Sequence, residues 1–284
     1  MSLAACATDM LPLRAGEIVE VADRVWRIVA GNASMMTGPG TNSYLLGNPP
    51  SVVVDPGPRL DAHLATIDAA CTSLAAVLVT HTHNDHSPGA HVLAGKRGCR
   101  LIGREAPPDG YQDRSFSPDH EPGDGEILRM DDVELRAIHT PGHASNHVCY
   151  LHEASGMLFS GDHILDGVTP VIVAPDGNMR DYIASLERLK THPITAIAPG
   201  HGHVLRDPGA QIDGIIAHRM RREAKVVERL RDLAGATIPE LVSSVYDDVP
   251  ADRHDWAQKT LAAHLFKLEQ DGLCVREGER WHVR

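Results

Sequence analysis

The chain has 284 residues, enough to bury a full hydrophobic core in one large domain, or in one large and one small. Its formal charge of −11 argues against tight, charge-driven binding of nucleic acid. Apolar runs stop at five or six residues, far short of the ~20 that a membrane-spanning helix needs.

At the start, "LAAC" (Leu3 to Cys6) looks like a lipoprotein cleavage box, but nothing basic precedes it and its apolar stretch is too short for a signal peptide. It reads as a disordered N-terminus. Residues 17–30 alternate in a way that predicts two short strands turning at Ala22-Asp23, and a glycine-rich loop follows, "GNASMMTGPGTN". Strands are expected at "SYLLG" and "SVVVD", then a helix over "PRLDAHLATIDAAC". The apolar run Ala75–Val79 predicts a buried strand. "PGAHVLAG" suits a short helix and "CRLIG" a further strand. Residues 106–125 carry four prolines and three glycines, so a long, exposed, mobile loop is expected there.

Strands resume at "EILRM" and "VELRAIHT", and "VCYLHEASGMLFSGD" reads as a strand pair turning at Ser155-Gly156. A helix at about 179–190 precedes the strand "ITAIA". A long helix is predicted over 208–234, with Ile212, Ile215, Ile216, Met220, Val227 and Leu230 as its apolar stripe. Two helices follow, the first capped by Thr237 with Pro239 and Glu240 in its first turn, the second stopped by Gly272. The last residues form a hairpin turning near Glu277-Gly278. The pattern is α+β, with 1–207 as one domain, 208–236 as a linking helix and 237–284 as a small winged-helix-like domain.

Histidine is the anomaly, with 18 in the chain. "THTHNDHSPG" crowds His81, His83, Asp85 and His86 into six residues directly after the buried strand. His81, His83 and Asp85 alternate, so extended backbone points them the same way. Imidazoles and a carboxylate at this spacing suit a borderline metal such as zinc, and gathering them without one would be costly. Three more strand ends offer ligands: His143 in "HTPGHAS", Asp162 in "FSGDHI" and His201 in "APGHGH". Seven ligands exceed one tetrahedral zinc and suffice for two metals sharing a carboxylate.

This pattern resembles the metallo-β-lactamase superfamily over about residues 30–205, and Asp55 in "VVVDPG" resembles that family's first motif. The resemblance implies a four-layer αβ/βα sandwich with a metal site on one edge. It implies His81, His83 and His143 on a first metal, Asp85, His86 and His201 on a second, Asp162 bridging, and Asp55 orienting neighbours. The implied cofactors are two Zn2+ per chain, with Mn2+ or Fe as alternatives. "GPGTNSYLLG", "SGDHIL", "PGHGHVL" and the C-terminal winged helix resemble the lactamase-beta-2-like hydrolases, one branch of which cleaves single-stranded RNA.

The implied chemistry is hydrolysis: two metals acidify a bridging water, and the hydroxide attacks a carbonyl carbon or phosphorus. Asp85 serves as ligand and as the catalytic carboxylate that orients the nucleophile or takes its proton. His163 is a candidate proton donor to the leaving group, and a structural role is the competing reading. Met35, Met36 and the turn 38–40 suggest a flap, with Asn42 bracing it or touching substrate. His203 reads as supporting or surface rather than as a ligand. His83 stands where the oxygen-reducing diiron branch typically has glutamate, and the second-site set appears complete, unlike that of persulfide-oxidising relatives. The expected enzyme therefore cleaves an ester, thioester or phosphodiester, with single-stranded RNA among the substrates. A glyoxalase-II-like thioesterase or lactonase is the alternative.

A non-catalytic winged-helix regulator is the remote reading. Residues 237–284 hold nine acidic against six basic side chains, so duplex DNA is not expected as a partner. On the long helix, Arg219, Arg221, Arg222, Lys225, Arg229 and Arg231 form either a phosphate-facing stripe or a solvated face with ion pairs. Five cysteines with no C-x-x-C read as free thiols, which makes the cytoplasm the expected compartment.

Overall fold

A computed structural model describes residues 12–108, 110 and 112–284, so Leu3 to Cys6 lie outside the described residues. Two compact units form. The first comprises residues 12 to 140, Asn146–Thr169 and His192–Pro208, and the second Pro141–Ser145, Pro170–Thr191 and Gly209–Arg284.

The first unit is built on two sheets. One orders β1 (Ile18–Ala22), β2 (Val25–Val29), β3 (Asn42–Leu46), β4 (Val52–Val54), β5 (Ala76–Leu78) and β6 (Arg100–Ile102) side by side. The first four are antiparallel neighbours, whereas β4, β5 and β6 run parallel. Parallel neighbours need crossovers, and α1 (Asp61–Ala70) and α2 (Pro88–Arg97) supply them. The other sheet comprises β7 (Ile127–Met130), β8 (Val133–His139), β9 (Val148–His152), β10 (Met157–Gly161) and β11 (Ala196–Pro199), ordered β11-β10-β9-β8-β7.

The period-2 alternation of the strands decides the layers. Tyr44, Leu46, Val52, Val54, Ala76 and Leu78 point between the sheets, where they meet Leu135, Ala137, Val148, Tyr150 and Phe159. Leu45, Val53 and Val77 point the other way, against Leu64 and Ile67 of α1 and Leu93 of α2. Both faces of β4 and β5 are therefore buried, which is why these strands read as unbroken apolar runs. The result is a mixed α+β sandwich.

The second unit holds α3 (Met179–Leu189), α4 (Pro208–Asp232), α5 (Ile238–Val245), α6 (His254–Gln270) and the hairpin β12 (Cys274–Glu277) with β13 (Arg280–Val283). Thr237 caps α5 in a reciprocal capping box with Glu240. Leu230 of α4 packs with Leu241, Val245, Leu261, Leu265 and Trp281 in one core. That arrangement of two helices and a hairpin is the winged-helix architecture anticipated from the sequence.

Two expectations need correction. On α4, Met220 is exposed, and the buried positions include Arg219, Arg222, Glu223 and Val226. Arg222 forms a two-pronged ion pair with Asp248 at 2.7 and 2.8 Å and lies over the Tyr246 ring. Lys225 pairs with Asp247, and Arg229 with Asp232. Arg222, Lys225 and Arg229 are engaged in ion pairs within the unit, and Arg221 and Arg231 lie on its exposed face.

The described residues of 106–125 form no helix or named strand, as their prolines dictate, but they are not simply exposed. Gln112, Asp113 and Phe116 are buried. The Thr82 hydroxyl donates to Gln112 at 2.6 Å, the Ser87 hydroxyl donates to Asp113 at 2.7 Å, and the Asp113 amide donates to the Thr82 carbonyl. The loop braces the histidine-rich segment. No helix among the described residues is long and apolar enough to cross a membrane.

Each unit buries a histidine that belongs to neither ligand group, His63 in the first and His264 in the second. Burial pushes His63 down to about 4, and burial does the same to His264, with Glu223 opposing it. The unfolded chain binds these protons near 6.5, so stability is full above that pH and is lost as pH falls toward 4. Each group contributes on the order of 3 kcal/mol to that loss. Thermal melts from pH 7 to pH 4 should show a steep drop, and His264→Leu should remove the share belonging to the second unit.

Candidate metal centre

Strand direction assembles the site. β4 and β5 run parallel, so Asp55 and the segment Thr80–His86 leave the first sheet at one rim. β3 runs antiparallel to β4, which puts its N-terminal end, with Thr41 and Asn42, at the same rim. In the second sheet β10 and β11 share one direction, so the loops carrying Asp162 and His201 leave together. Hydrogen bonds stitch the two rims: Val148 N donates to Thr80 O at 2.8 Å, and Asn42 N donates to Gly200 O at 2.7 Å.

Asp55 organises the first rim. It holds a left-handed backbone conformation, φ 51°, which turns the chain sharply after β4. Its Oδ1 accepts from Thr80 N at 2.7 Å, and its Oδ2 accepts from the Thr80 hydroxyl at 2.8 Å and from His86 Nδ1 at 2.9 Å. His86 is thereby held with Nε2 as its remaining ligand atom. His201 Nδ1 similarly donates to Gly40 O at 3.2 Å. Fixing one ring nitrogen in this way sets the tautomer and aim of the other.

Two groups of ligand atoms result, each within a span of 4.8 Å. His81, His83 and Asp162 contribute to one, and Asp85, His86 and His201 form the other. His81 Nε2 and His83 Nδ1 are 2.9 Å apart. Asp162 Oδ1 lies 3.3 Å from both His86 Nε2 and His201 Nε2. Asp85 Oδ2 lies 3.4 Å from the first and 3.3 Å from the second. His143 stands in the loop between β8 and β9, and its Nδ1 donates to Val171 O at 2.8 Å, leaving Nε2 with the lone pair. A glycine is required at 200, because a Cβ there would stand 2.5 Å from Asp162 Oδ1 and 2.7 Å from His86 Cε1.

The donor set fits divalent cations. Burial opposes charge on His86, yet Asp85, Asp162 and Asp55 overcome it and hold the imidazole well above its usual range. Burial likewise opposes charge on His201, and Asp162 with Asp85 raises it to about 10. Burial raises Asp85 and Asp162, but the neighbouring histidines hold both carboxyls well below the usual range. His81 is driven the other way, by burial and by His86 and His83. His86 Nε2 is buried and forms no hydrogen bond, although two carboxylates face it. A divalent cation matches that nitrogen and those oxygens together.

His163, His147, His203 and His139 lie outside both ligand groups. His163 is fully buried with its ring 5.6 Å from that of His147, and His147 stacks on His81 at 5.0 Å. His203 belongs to neither ligand group and donates its backbone amide to Asp166. His139 bonds Pro122 O.

Asn42 is buried and touches the His201 loop. Its side-chain amide donates to Pro199 O and Gly202 O, both at 2.9 Å, gripping the turn on either side of His201. Sequence reasoning missed Thr41 and Asn32. The Asn32 side chain grips Thr41 through its hydroxyl and its backbone amide, and the Thr41 hydroxyl donates to Asp85 Oδ2 at 2.9 Å. Only the run of three polar residues in "TNSY" hinted at such roles.

Removing a group that holds a ligand typically weakens metal affinity 10- to 100-fold. Thr41→Val should lower zinc affinity by that amount in chelator competition, with Thr41→Ser restoring it. Asn42→Ala should cost about 1–3 kcal/mol in denaturant unfolding, because the buried Gly202 carbonyl loses its donor while Pro199 O keeps that of Tyr44.

Residues 36–201 match the metallo-beta-lactamase superfamily, and residues 237–281 match the beta-lactamase associated winged helix domain. A beta-lactamase-like protein 2 homolog of Drosophila melanogaster is 31% identical over 90% of this chain and 91% of its own length. An atrochrysone carboxyl ACP thioesterase of Cryptosporiopsis sp. is 29% identical over 94% of this chain and 87% of its own. The crystal structure of a beta-lactamase domain protein from Burkholderia ambifaria superposes with a TM-score of 0.83, covering 98% of this chain and 96% of that one, at 22% identity. With its sandwich, its histidine-rich rim and its C-terminal winged helix, the chain belongs to the metallo-beta-lactamase superfamily of hydrolases.

Proposed function

We propose that the chain is a dinuclear metal-dependent hydrolase, with zinc as its first-choice metal and an ester or thioester as its substrate. The carrying observation is the pair of ligand groups that meet across Asp162 and His86. His81, His83 and His143 would hold one ion and Asp85, His86 and His201 the other, with Asp162 between them. His143 fits the first set because its loop springs from β8 and is closed at its base by Thr140 N donating to His147 O at 2.9 Å. When bound, two such ions supply Lewis acidity to the scissile carbonyl and a water acidified toward neutrality.

The protein's own groups do the rest. Asp85, steadied by Thr41, is the carboxylate placed to orient the attacking water and take its proton. Asp55 and Thr80 keep His86 and His81 from turning. Water adds to the carbonyl carbon, the carbon–sulfur or carbon–oxygen bond breaks, and the leaving group departs with a proton.

An acyl substrate is favoured over RNA by the pairing of Arg222, Lys225 and Arg229 with Asp248, Asp247 and Asp232. Those three cations are neutralised, which leaves Arg221 and Arg231 as the exposed positive charge that α4 offers a phosphate backbone. The name of the Cryptosporiopsis relative, a thioesterase, points the same way. Among the described residues Cys71, Cys99, Cys149 and Cys274 form no disulfide, which supports a reducing compartment such as the cytoplasm.

Zinc-loaded protein assayed against thioesters, lactones, phosphodiesters and short single-stranded RNA should turn over the acyl substrates. His83→Ala and Asp162→Ala should each lower kcat at least a thousandfold while the circular dichroism spectrum is kept. Full activity in either variant, or turnover of RNA alone, contradicts the assignment.

A further inference from the structure

A groove opens beside His201. Met35, Met36 and Pro39 wall it from the loop between β2 and β3, and Leu165 and Val168 from the segment after β10. Its volume is about 340 Å³, within the ~300–1,000 Å³ range of small-molecule sites. Met35, Met36 and Val168 are 63%, 46% and 62% exposed, so three large apolar side chains are held in water at one place. Such a cluster gains nothing from folding and marks a contact surface.

The methionines are presented, not left loose. The Ser34 hydroxyl accepts from Met36 N and Thr37 N, Ser34 N donates to Gly38 O, and Asn32 grips Thr41 at the root of the loop. Methionine is unbranched and polarizable, and it adapts to apolar groups of varied shape. Among the described residues that line the groove, the ionisable ones are Asp166, His201 and His203, and none is lysine or arginine. Asp166 disfavours an anionic occupant.

We propose that this groove seats the apolar acyl group of the substrate, with the scissile carbonyl at the end walled by His201. The proposal rests on the hydrolytic reading of the metal centre and narrows it: the acyl side is uncharged and hydrophobic, and recognition there is by burial rather than by charge. One carboxylate, Asp166, and no lysine or arginine among the lining residues argue against a phosphodiester on this side.

The test is a chain-length series. Zinc-loaded protein is assayed with N-acetylcysteamine thioesters of acetyl, butyryl, hexanoyl and octanoyl groups. Burial of each methylene should raise kcat/KM about three- to fourfold until the groove is filled. Met35→Ser/Met36→Ser should flatten that slope. Met220→Ser, which changes an exposed methionine on α4, should keep it. Thioester hydrolysis with no dependence on chain length overturns the groove and leaves the hydrolase reading standing. An unchanged slope in the double variant also overturns the groove. No hydrolysis of any thioester, with phosphodiesters cleaved instead, overturns the acyl reading itself.

Discussion

Two carboxylates, Asp85 and Asp162, are brought to within 3.3–3.4 Å of the same two imidazole nitrogens in a largely buried site. Buried charge of that density is tolerated only when it is matched, and here protons or cations must match it. The surrounding structure follows from this constraint. Asp55 fixes His86, the Gly40 carbonyl fixes His201, and Thr41 fixes Asp85, so the ligand atoms are aimed before any ion arrives. Holding the ligands in advance lowers the cost of ordering them when a cation binds.

The sandwich provides what the site needs without being shaped by it. Parallel pairing of β4 with β5 and of β10 with β11 puts loop after loop at one rim. Cross-sheet bonds from Tyr150 to Val79 O and from Tyr44 to Pro199 O lock the two rims in register. Close approach then demands glycine at 200 and 161, where a side chain would collide with Asp162 and with Thr80. Packing in the core and geometry at the rim are thus one problem, solved by the same strands.

Most of this was legible in the sequence, because each element announces itself locally. "AAVLV" is apolar on both faces, as a central parallel strand must be, and the following histidines interrupt it abruptly. Thr237, Pro239 and Glu240 spell a capping box in consecutive turn positions. What the sequence hid depends on partners distant along the chain. Nothing near Arg222 reveals that Asp248 will bury it, so the stripe on α4 was drawn through Met220 instead. Nothing near Gln112 and Asp113 reveals that Thr82 and Ser87 await them. Asn42 looked like a flap residue until β3 was placed beside the His201 loop.

The central claim is that this buried cluster is a binding site for two divalent cations. Crystals grown with zinc, measured on both sides of the zinc absorption edge, test it directly. The account predicts two anomalous peaks roughly 3.5–4 Å apart, flanking Asp162 and about 2.0–2.2 Å from nitrogens of His81, His83, His86 and His201. A zinc-saturated crystal with no peak among these residues, and with His86 and His201 bonded directly to the two carboxylates, would contradict it.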